Sequence, residues 1–359
     1  MINDVCSEFK SGKNIKADSI SESGEYPVYG GNGLRGYTSS YNHEGLYVLI
    51  GRQGALCGNV RSVNGKTYIT EHAIAAAGNE KSNTSFLHYL FLKMNLGQYS
   101  DQSAQPGLAV NKLLKLEVSL PPISEQKKIA KLLSLLDERI ATQNKIIDKL
   151  QSLIKGLNDS LYAQYGNEFK TSFAKLGTSY SGLSGKSAQD FGSGKAFITY
   201  LNVYSNNVIN EKDFQYVAIK DGEKQNVAEY GDVLFTLSSE TPEEVGIGSV
   251  YLGKEKVYLN SFCFGIHITN AEIVFPPYLS YYVSSTAFRK FIYPYAQGST
   301  RFNLCKADFE KASIKLPTLE NQKRIYSILS RIDSKIETER QMLDLYNSQK
   351  QYLLRQMFV

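Results

Sequence analysis

The chain has 359 residues, 42% of them hydrophobic and 12% aromatic, which is enough for two or three domains with cores of their own and excludes a disordered tail or a fibrous repeat. Its net charge of +5 admits a nucleic-acid partner without requiring one. Cys6, Cys57, Cys263 and Cys305 stand apart, so neither a zinc site nor a disulfide framework is supported, and no run approaches the ~18 apolar residues of a membrane span. With no apolar leader segment, a reducing cytoplasm is the expected location.

Residues 1–119 are rich in strand and turn signals. Gly30-Gly31-Asn32-Gly33 predicts a tight loop, Leu46–Ile50 a buried strand and Gly51–Gly54 the turn that leaves it. Val60, Tyr68 and Ile69 predict further strands, with Asn64-Gly65 as a hairpin turn between them. Ser85–Met94 has helical spacing, Gln105-Pro106-Gly107 breaks it, and Leu116–Leu120 reads as a short strand. Residues 166–315 repeat this plan in expanded form. Ala196–Val203 and Gly231–Thr236 predict strands, Val250–Gly253 and Val257–Leu259 a hairpin, and Tyr278–Phe291 a helix. Gln297–Leu304 stands where Gln105–Lys112 stands in the first segment, and Ser238-Ser239-Glu240 where the Gly51–Gly54 turn stands. The first segment starts abruptly at Met1, whereas the second opens with Phe173–Gly177, so the first is expected to be shortened at its N-terminus.

Each segment ends in the same long helix. Residues 120–143 return as 316–339 without a gap, and ten of the 24 pairs are identical: Leu120, Pro121, Gln126, Lys127, Ile129, Leu133, Ser134, Asp137, Ile140 and Thr142. In both copies apolar residues alternate steps of four and three, from Ile129 to Leu157 and from Ile325 to Leu353, which is a coiled-coil seam. Lys350 breaks the second seam, and a polar residue interrupts both at the same step, Gln143 and Glu339. The proline before each copy suits a helix start. The expected fold is therefore α+β: mixed α/β globules at 1–119 and 166–315, each followed by a spacer helix, 120–160 and 316–359. The two helices are expected to pack as an antiparallel coiled coil with an approximate two-fold. The helices are alike and the globules are not, so the frame is kept while the cargo varies.

Fragments that suggest catalysis are incomplete. Gly185-Lys186-Ser187 has Tyr180 where a phosphate-binding loop needs its first glycine, and Gly192-Ser193-Gly194-Lys195 is followed by Ala196 where a Mg²⁺-binding hydroxyl belongs. Phe275-Pro276-Pro277-Tyr278 lacks the Asn or Asp that begins the amino-methyltransferase motif, so the proline pair is expected to start a helix. The four histidines have no metal-ligand spacing, and His88 is expected to be packed in a helix. A self-contained methyltransferase or nuclease is thus the weaker reading. A coiled-coil adaptor explains the helices but not the dissimilar globules.

The doubled helix starts (Pro121 with Glu125-Gln126, Pro317 with Asn321-Gln322), together with Tyr29–Gly33, Gly51-Arg52-Gln53-Gly54 and Gly231–Phe235, resemble the specificity subunit of type I restriction–modification systems over essentially the whole chain. The resemblance implies a non-catalytic subunit with two target-recognition domains, each reading half of a split double-stranded DNA sequence. It implies docking of two methyltransferase subunits and of restriction/translocase subunits. It implies no metal or cofactor in this chain, with S-adenosylmethionine, ATP and Mg²⁺ used by the partners. Helix-start residues Glu125, Gln126, Ile129, Asn321, Gln322 and Ile325 would then bind those partners. DNA reading needs Lys or Arg on phosphates and Arg, Asn, Gln or Glu on base edges, carried on loops. By residue type and place, the candidates in the first domain are Asn32, Arg35, Tyr37, Arg52, Gln53, Lys66, His72 and Gln105. In the second they are Lys186, Lys195, Tyr200, Asn202, Tyr204, Ser239, Glu240, Arg301 and Asn303.

Overall fold

Val48, Leu49 and Ile50 are all buried, so the strand they form must be covered on both faces. In the computed structural model, which describes residues 1–101 and 106–358, this strand is the middle of the first of two units. The units are Met1–Lys145 with Arg340–Val359, and Ile146–Glu339.

The first unit contains β1 (Cys6–Ser11), β2 (Tyr26–Gly30), β3 (Gly33–Thr38), β4 (His43–Glu44), β5 (Tyr47–Gly51), β6 (Val60–Val63), β7 (Lys66–Ile69) and β8 (Ala73–Gly78). They form two four-stranded sheets, ordered β1-β8-β5-β6 and β3-β2-β7-β4. Because side chains alternate along a strand, Val48 and Ile50 join Phe86, Leu87 and Phe91 of α1 (Thr84–Met94), while Leu49 joins Val63, Ile69, Ala73 and Ala75. The short α2 (Val110–Leu113) then leads to the long α3 (Ile123–Tyr165).

The second unit repeats this plan strand for strand. After β9 (Phe169–Thr171) and α4 (Phe173–Leu176) come β10 (Gly177–Ser181), β11 (Phe191–Ile198), α5 (Tyr200–Ser205), β12 (Gln215–Val217), β13 (Val227–Ala228), β14 (Val233–Thr236), β15 (Ser238–Ser239), β16 (Gly248–Val250), β17 (Val257–Leu259) and β18 (Cys263–Ile268). Its sheets, β10-β18-β14-β16 and β12-β11-β17-β13, have the order of the first unit's sheets. Then follow α6 (Pro276–Tyr282), α7 (Thr286–Ile292), β19 (Ala296–Gln297), β20 (Phe302–Leu304), α8 (Lys306–Lys311), β21 (Ile314–Leu316) and the long α9 (Leu319–Met357). Here the helix-side core is aromatic, built on Phe173, Phe235, Phe264, Phe288 and Phe309.

The two long helices pack together, and the seam is where the periodicity puts it. Leu133, Leu136 and Ile147 of α3, and Ile325, Leu329 and Ile336 of α9, are buried. In the first unit Leu133 clusters with Leu354, Asp137 pairs with Lys350, and Arg139 lies over Tyr346. As numbers rise on α3 they fall on α9, so the segments run antiparallel. In the second unit Leu157 and Leu161 pack in the cluster of Ile325 and Leu329. Gln143 and Glu339 are buried in the seam.

Several local expectations need correction. Asn64-Gly65 does not close a hairpin, because β6 pairs with β5 while β7 pairs with β2 and β4; the chain changes sheets there. The same crossing separates β16 from β17 in the second unit. The predicted strand Ala196–Val203 stops at Ile198, since the Thr199 hydroxyl accepts from the Asn202 N–H and starts a helix. Residues 116–120 form no strand, although the Ile2 N–H donates to Leu116 O. The predicted helix 278–291 is two helices, because Ser285 caps a second one by accepting from the Phe288 N–H. The first domain's opening strand is present: β1 pairs with β8 as β10 pairs with β18.

Candidate nucleic-acid interface

Each unit gathers its loops at one end of its sheets. In the first, β5 ends opposite the start of β8, with Gly51 facing Ala73, and β2 runs parallel to β7 to Tyr29 facing Ile69. The turns that follow are therefore brought together. The Arg52 N–H donates to His72 O at 2.9 Å, Leu108 N–H to Arg52 O at 2.9 Å, and Gly54 N–H to Pro106 O at 3.0 Å. A Cβ on Gly31 would lie 2.7 Å from His72 O, so only glycine lets the β2–β3 hairpin sit this close. Gly33, with φ of +110°, carries the Arg61 guanidinium against its backbone; a side chain there would meet Nη1 at 2.3 Å.

Asn32, Arg35, Arg52, Gln53 and His72 all belong to this end. Asn32, Arg35 and Gln53 are exposed, and Arg52 and His72 half-buried. His72 Nδ1 lies 3.0 Å from Gln53 Oε1, and its Nε2 lies 3.4 Å from Glu71. Arg61 belongs with them and was not singled out from the sequence, because it sits inside a strand and only the fold places it under the hairpin. The end is thus rich in guanidinium groups. Tyr37 and Lys66 are not part of it. Tyr37 is next to the far end of β3, and Lys66 begins β7 with its ammonium 4.8 Å from the centre of the Tyr41 ring. Gln105 lies outside the described residues.

The second unit builds the same end differently. Thr236 of β14 faces Cys263 of β18, and Ile198 of β11 faces Leu259 of β17. Where the first unit has the bridge Gln53 to Gly107, the second has a small sheet, with Ser238 and Ser239 of β15 paired to Asn303 and Phe302 of β20. The Tyr200 hydroxyl donates to Ser238 O at 2.8 Å. Tyr200 and Tyr204 lie one turn apart on α5, rings stacked at 6.0 Å. Tyr204 Oη and Ser239 Oγ both donate to Glu244, at 2.8 and 2.9 Å. Those donors, Tyr204 first, hold the Glu244 carboxyl below its ordinary range. Arg289 of α7 donates to the carbonyls of Glu243, Val245 and Gly246 at 2.6, 2.8 and 2.9 Å, fixing the loop that carries Glu244. Glu240, Arg301 and Asn303 are exposed beside this framework. So are Leu201 (69%) and Phe262 (57%), which the sequence hid because apolar residues are first read as core.

Three candidates in this unit are spent internally. Asn202 is buried: its Nδ2 donates to Asn210 O, and its Oδ1 accepts from Asn210 N and Asn206 Nδ2, which leaves no amide edge for a base. The Lys186 side chain is 6% exposed, and its ammonium pairs with Glu223 at 2.6 Å and donates to Ala218 O. That pairing brings the Glu223 carboxyl down to about 2. Ser239 is buried with its hydroxyl on Glu244. Lys195 is exposed on β11, opposite Val217 and before the loop end.

The helix-start residues expected to bind partners divide in the same way. Gln126 is 1% and Gln322 0% exposed. Gln126 accepts from Asn83 N–H at 2.8 Å and donates to Lys81 O and Pro121 O, both at 2.9 Å. Gln322 accepts from Phe275 N–H at 2.8 Å and donates to Ile273 O and Pro317 O, both at 2.9 Å. Each glutamine ties its long helix to the start of the helix covering its own sheet, and Ile325 is buried in the core beside it. These three are internal braces and not contact residues. Ile129 packs against the core, Glu125 is exposed and pairs with Lys128 at 2.8 Å, and Asn321 Nδ2 donates to Glu168 at 2.8 Å.

Among the described residues no group of three or more His, Cys, Asp or Glu is placed to hold a metal, and no helix is long and apolar enough to cross a membrane.

Comparison with known proteins places this geometry. The family model of the type I restriction–modification DNA specificity domain matches residues 1–152 and 186–345. The chain is 44% identical over 134 residues to the specificity subunit of the type I restriction enzyme EcoprrI of Escherichia coli, a stretch that is 36% of this chain and 33% of that one. It is 24% identical over 379 aligned positions to a putative type I restriction enzyme specificity subunit of Haemophilus influenzae, covering 95% of this chain and 89% of that one. In fold it is similar to the S subunit of a type I restriction–modification system from M. genitalium, with a TM-score of 0.64, 15% identity, and 100% and 95% of the two chains covered. A chain from the structure describing complex assembly and conformational transition of the type I system gives 0.59 at 16% identity, covering 99% and 96%.

Proposed function

The chain belongs to the type I restriction–modification DNA specificity family, and we propose that its two units each read one half of a split double-stranded DNA target for partner enzymes that carry the chemistry. The observation that carries this reading is the duplicated two-sheet frame with unlike loop ends. A frame kept strand for strand holds loops rigidly. Loops of different chemistry on one frame read different sequences.

The first end offers guanidinium groups, Arg35, Arg52 and Arg61, with Asn32 and Gln53. Arginine suits both phosphate oxygens and the O6/N7 edge of guanine, and an amide suits adenine. The second end offers Glu240, Asn303 and Arg301, where a carboxylate accepts from cytosine N4. These groups bind and orient; none is arranged as a nucleophile with its base. On this reading S-adenosylmethionine, ATP and Mg²⁺ are used by the partner subunits, and the assembly acts in the cytoplasm.

The long helices supply the docking faces. With Gln126, Gln322 and Ile325 spent inside, the candidates are exposed apolar residues that repeat with the helices. Leu132 (43%) and Ile328 (37%) hold one position, Ile146 (37%) and Met342 (37%) another. Like residues at like positions suit two copies of one methyltransferase subunit, with restriction/translocase subunits joining through them.

Selection from a random duplex library by this chain assembled with its methyltransferase tests the reading. Two fixed half-sequences separated by an unread spacer of constant length are expected. Enrichment of one contiguous sequence, or of none, contradicts it.

A further inference from the structure

Among the described residues, the second unit carries a device that the first lacks. Its reading strand β15 is held from the side by one carboxylate: Glu244 accepts from Ser239 Oγ with one oxygen and from Tyr204 Oη with the other. Tyr204 stacks on Tyr200, whose own hydroxyl donates to Ser238 O, the neighbouring residue of the same strand. The loop bearing Glu244 is pinned in turn by the Arg289 guanidinium, which donates to its carbonyls at Glu243, Val245 and Gly246. Strand β15 is two residues long, too short to keep its shape by pairing alone, yet it places Glu240 and positions β20 with Asn303 beside Arg301. In the first unit the corresponding bridge, Gln53 to Gly107, lies beside a different group, His72, whose Nδ1 is 3.0 Å from Gln53 Oε1 and whose Nε2 is 3.4 Å from Glu71.

We propose that Glu244 is a positioning residue for base reading by the second unit. Held by Arg289, it fixes Ser239 and Tyr204 so that Glu240, Arg301 and Asn303 meet DNA in one arrangement. Charge-assisted hydrogen bonds are short and directional, so a carboxylate receiving two hydroxyls locks both side chains before DNA arrives. Preorganisation of this kind acts on selectivity and leaves the sequence-independent phosphate term alone. The proposal rests on the reading that this loop end contacts DNA.

The test uses the full chain assembled with its methyltransferase and measures affinity for duplexes with a base change in the second half-site, in the first half-site, or in both. Glu244→Ala is expected to lower discrimination at the second half-site about tenfold, the worth of roughly one charge-assisted hydrogen bond. Discrimination at the first half-site and the salt dependence of nonspecific binding should stay within error. Glu244→Gln, whose amide keeps one acceptor oxygen, should fall between. The pair Ser239→Ala with Tyr204→Phe removes the donors and leaves the carboxylate, and is expected to match Glu244→Ala; it decides the matter if Glu244→Ala does not fold. Unchanged discrimination at the second half-site in these variants overturns the positioning role while leaving DNA reading intact. A wild-type assembly that does not discriminate at a second half-site overturns both.

Discussion

Asp137 of α3 accepts from the Lys350 ammonium of α9 and from the Tyr89 hydroxyl of α1, so one carboxylate joins both long helices and the sheet-covering helix of the first unit. The second unit repeats the tyrosine contact. Asp333, 196 residues on from Asp137, accepts from Tyr281, but the counterpart of Lys350 is Ile154, which keeps the seam apolar. Lys350 therefore interrupts the seam to meet a charge. Asp137→Ala strands the buried Tyr89 hydroxyl and a partly buried ammonium, and should cost about 1–3 kcal/mol. Lys350→Ile leaves Asp137 on Tyr89 and should cost less than about 1 kcal/mol. Denaturant midpoints of the two variants check this; equal losses would contradict the ranking.

Gln126 and Gln322 make the same three hydrogen bonds at the same distances, so each acts as a brace. Gln126→Ala or Gln322→Ala leaves a backbone N–H and two carbonyls without partners inside the protein, at about 2–4 kcal/mol each. The braces are in separate units, so the losses should add in the double variant. Thermal melting measures this. A variant that melts normally but fails to bind methyltransferase would restore these residues to partner contact.

His88 sets a pH limit on the first unit. Burial lowers its pKa from 6.5 to about 4, and among the described residues its Nδ1 has no hydrogen-bond partner. The folded state thus holds the ring neutral, while the unfolded chain takes up a proton near pH 6.5. Stability is full above pH 6.5 and falls as pH drops toward 4, by up to about 3 kcal/mol. His88→Phe should flatten that part of the profile. Chemical unfolding at pH 7.5 and 4.5 tests it, and an equal drop in wild type and variant would contradict it.

Periodicity is strong when it is long, which is why the doubled helices, their seam and its polar steps are legible in the sequence alone. Val48–Ile50 and Val233–Phe235 were readable for a related reason, because an unbroken apolar run demands cover on both faces. What failed was partnership at a distance. Asn64-Gly65 reports a local reversal, but not that β6 and β7 belong to different sheets. Thr199 capped a helix inside an apparent strand, moving Tyr200 and Tyr204 onto α5. Gln126 and Gln322 look like surface residues, because their partners Asn83 and Phe275 lie more than forty positions away. Arg61, Glu244 and Arg289 gave no local signal for the same reason. Asn32, Arg35, Arg52, Gln53, His72, Glu240, Arg301 and Asn303, in contrast, sit in or beside turns, and the structure brings them to the loop ends.

If the long helices set the distance between half-sites, their length is the spacer. Four residues inserted after Gln143, with a matching four after Glu339, add about 6 Å of helix, roughly two base-pair steps. Sequencing of methylated sites should show both half-sequences unchanged and the spacer longer by about two base pairs. Retention of the original spacer at full efficiency would show that the helices do not set it.

Independent reading by two units is the core of this account, and exchange of one unit's reader tests it most directly. Residues 166–315 are replaced by the corresponding segment of a relative, the chimera is assembled with the methyltransferase, and methylated positions are mapped across a bacterial genome. One half-sequence should change to the relative's, while the half-sequence read by residues 1–119 and the spacer stay the same. A change in both half-sequences, or in neither, would contradict it.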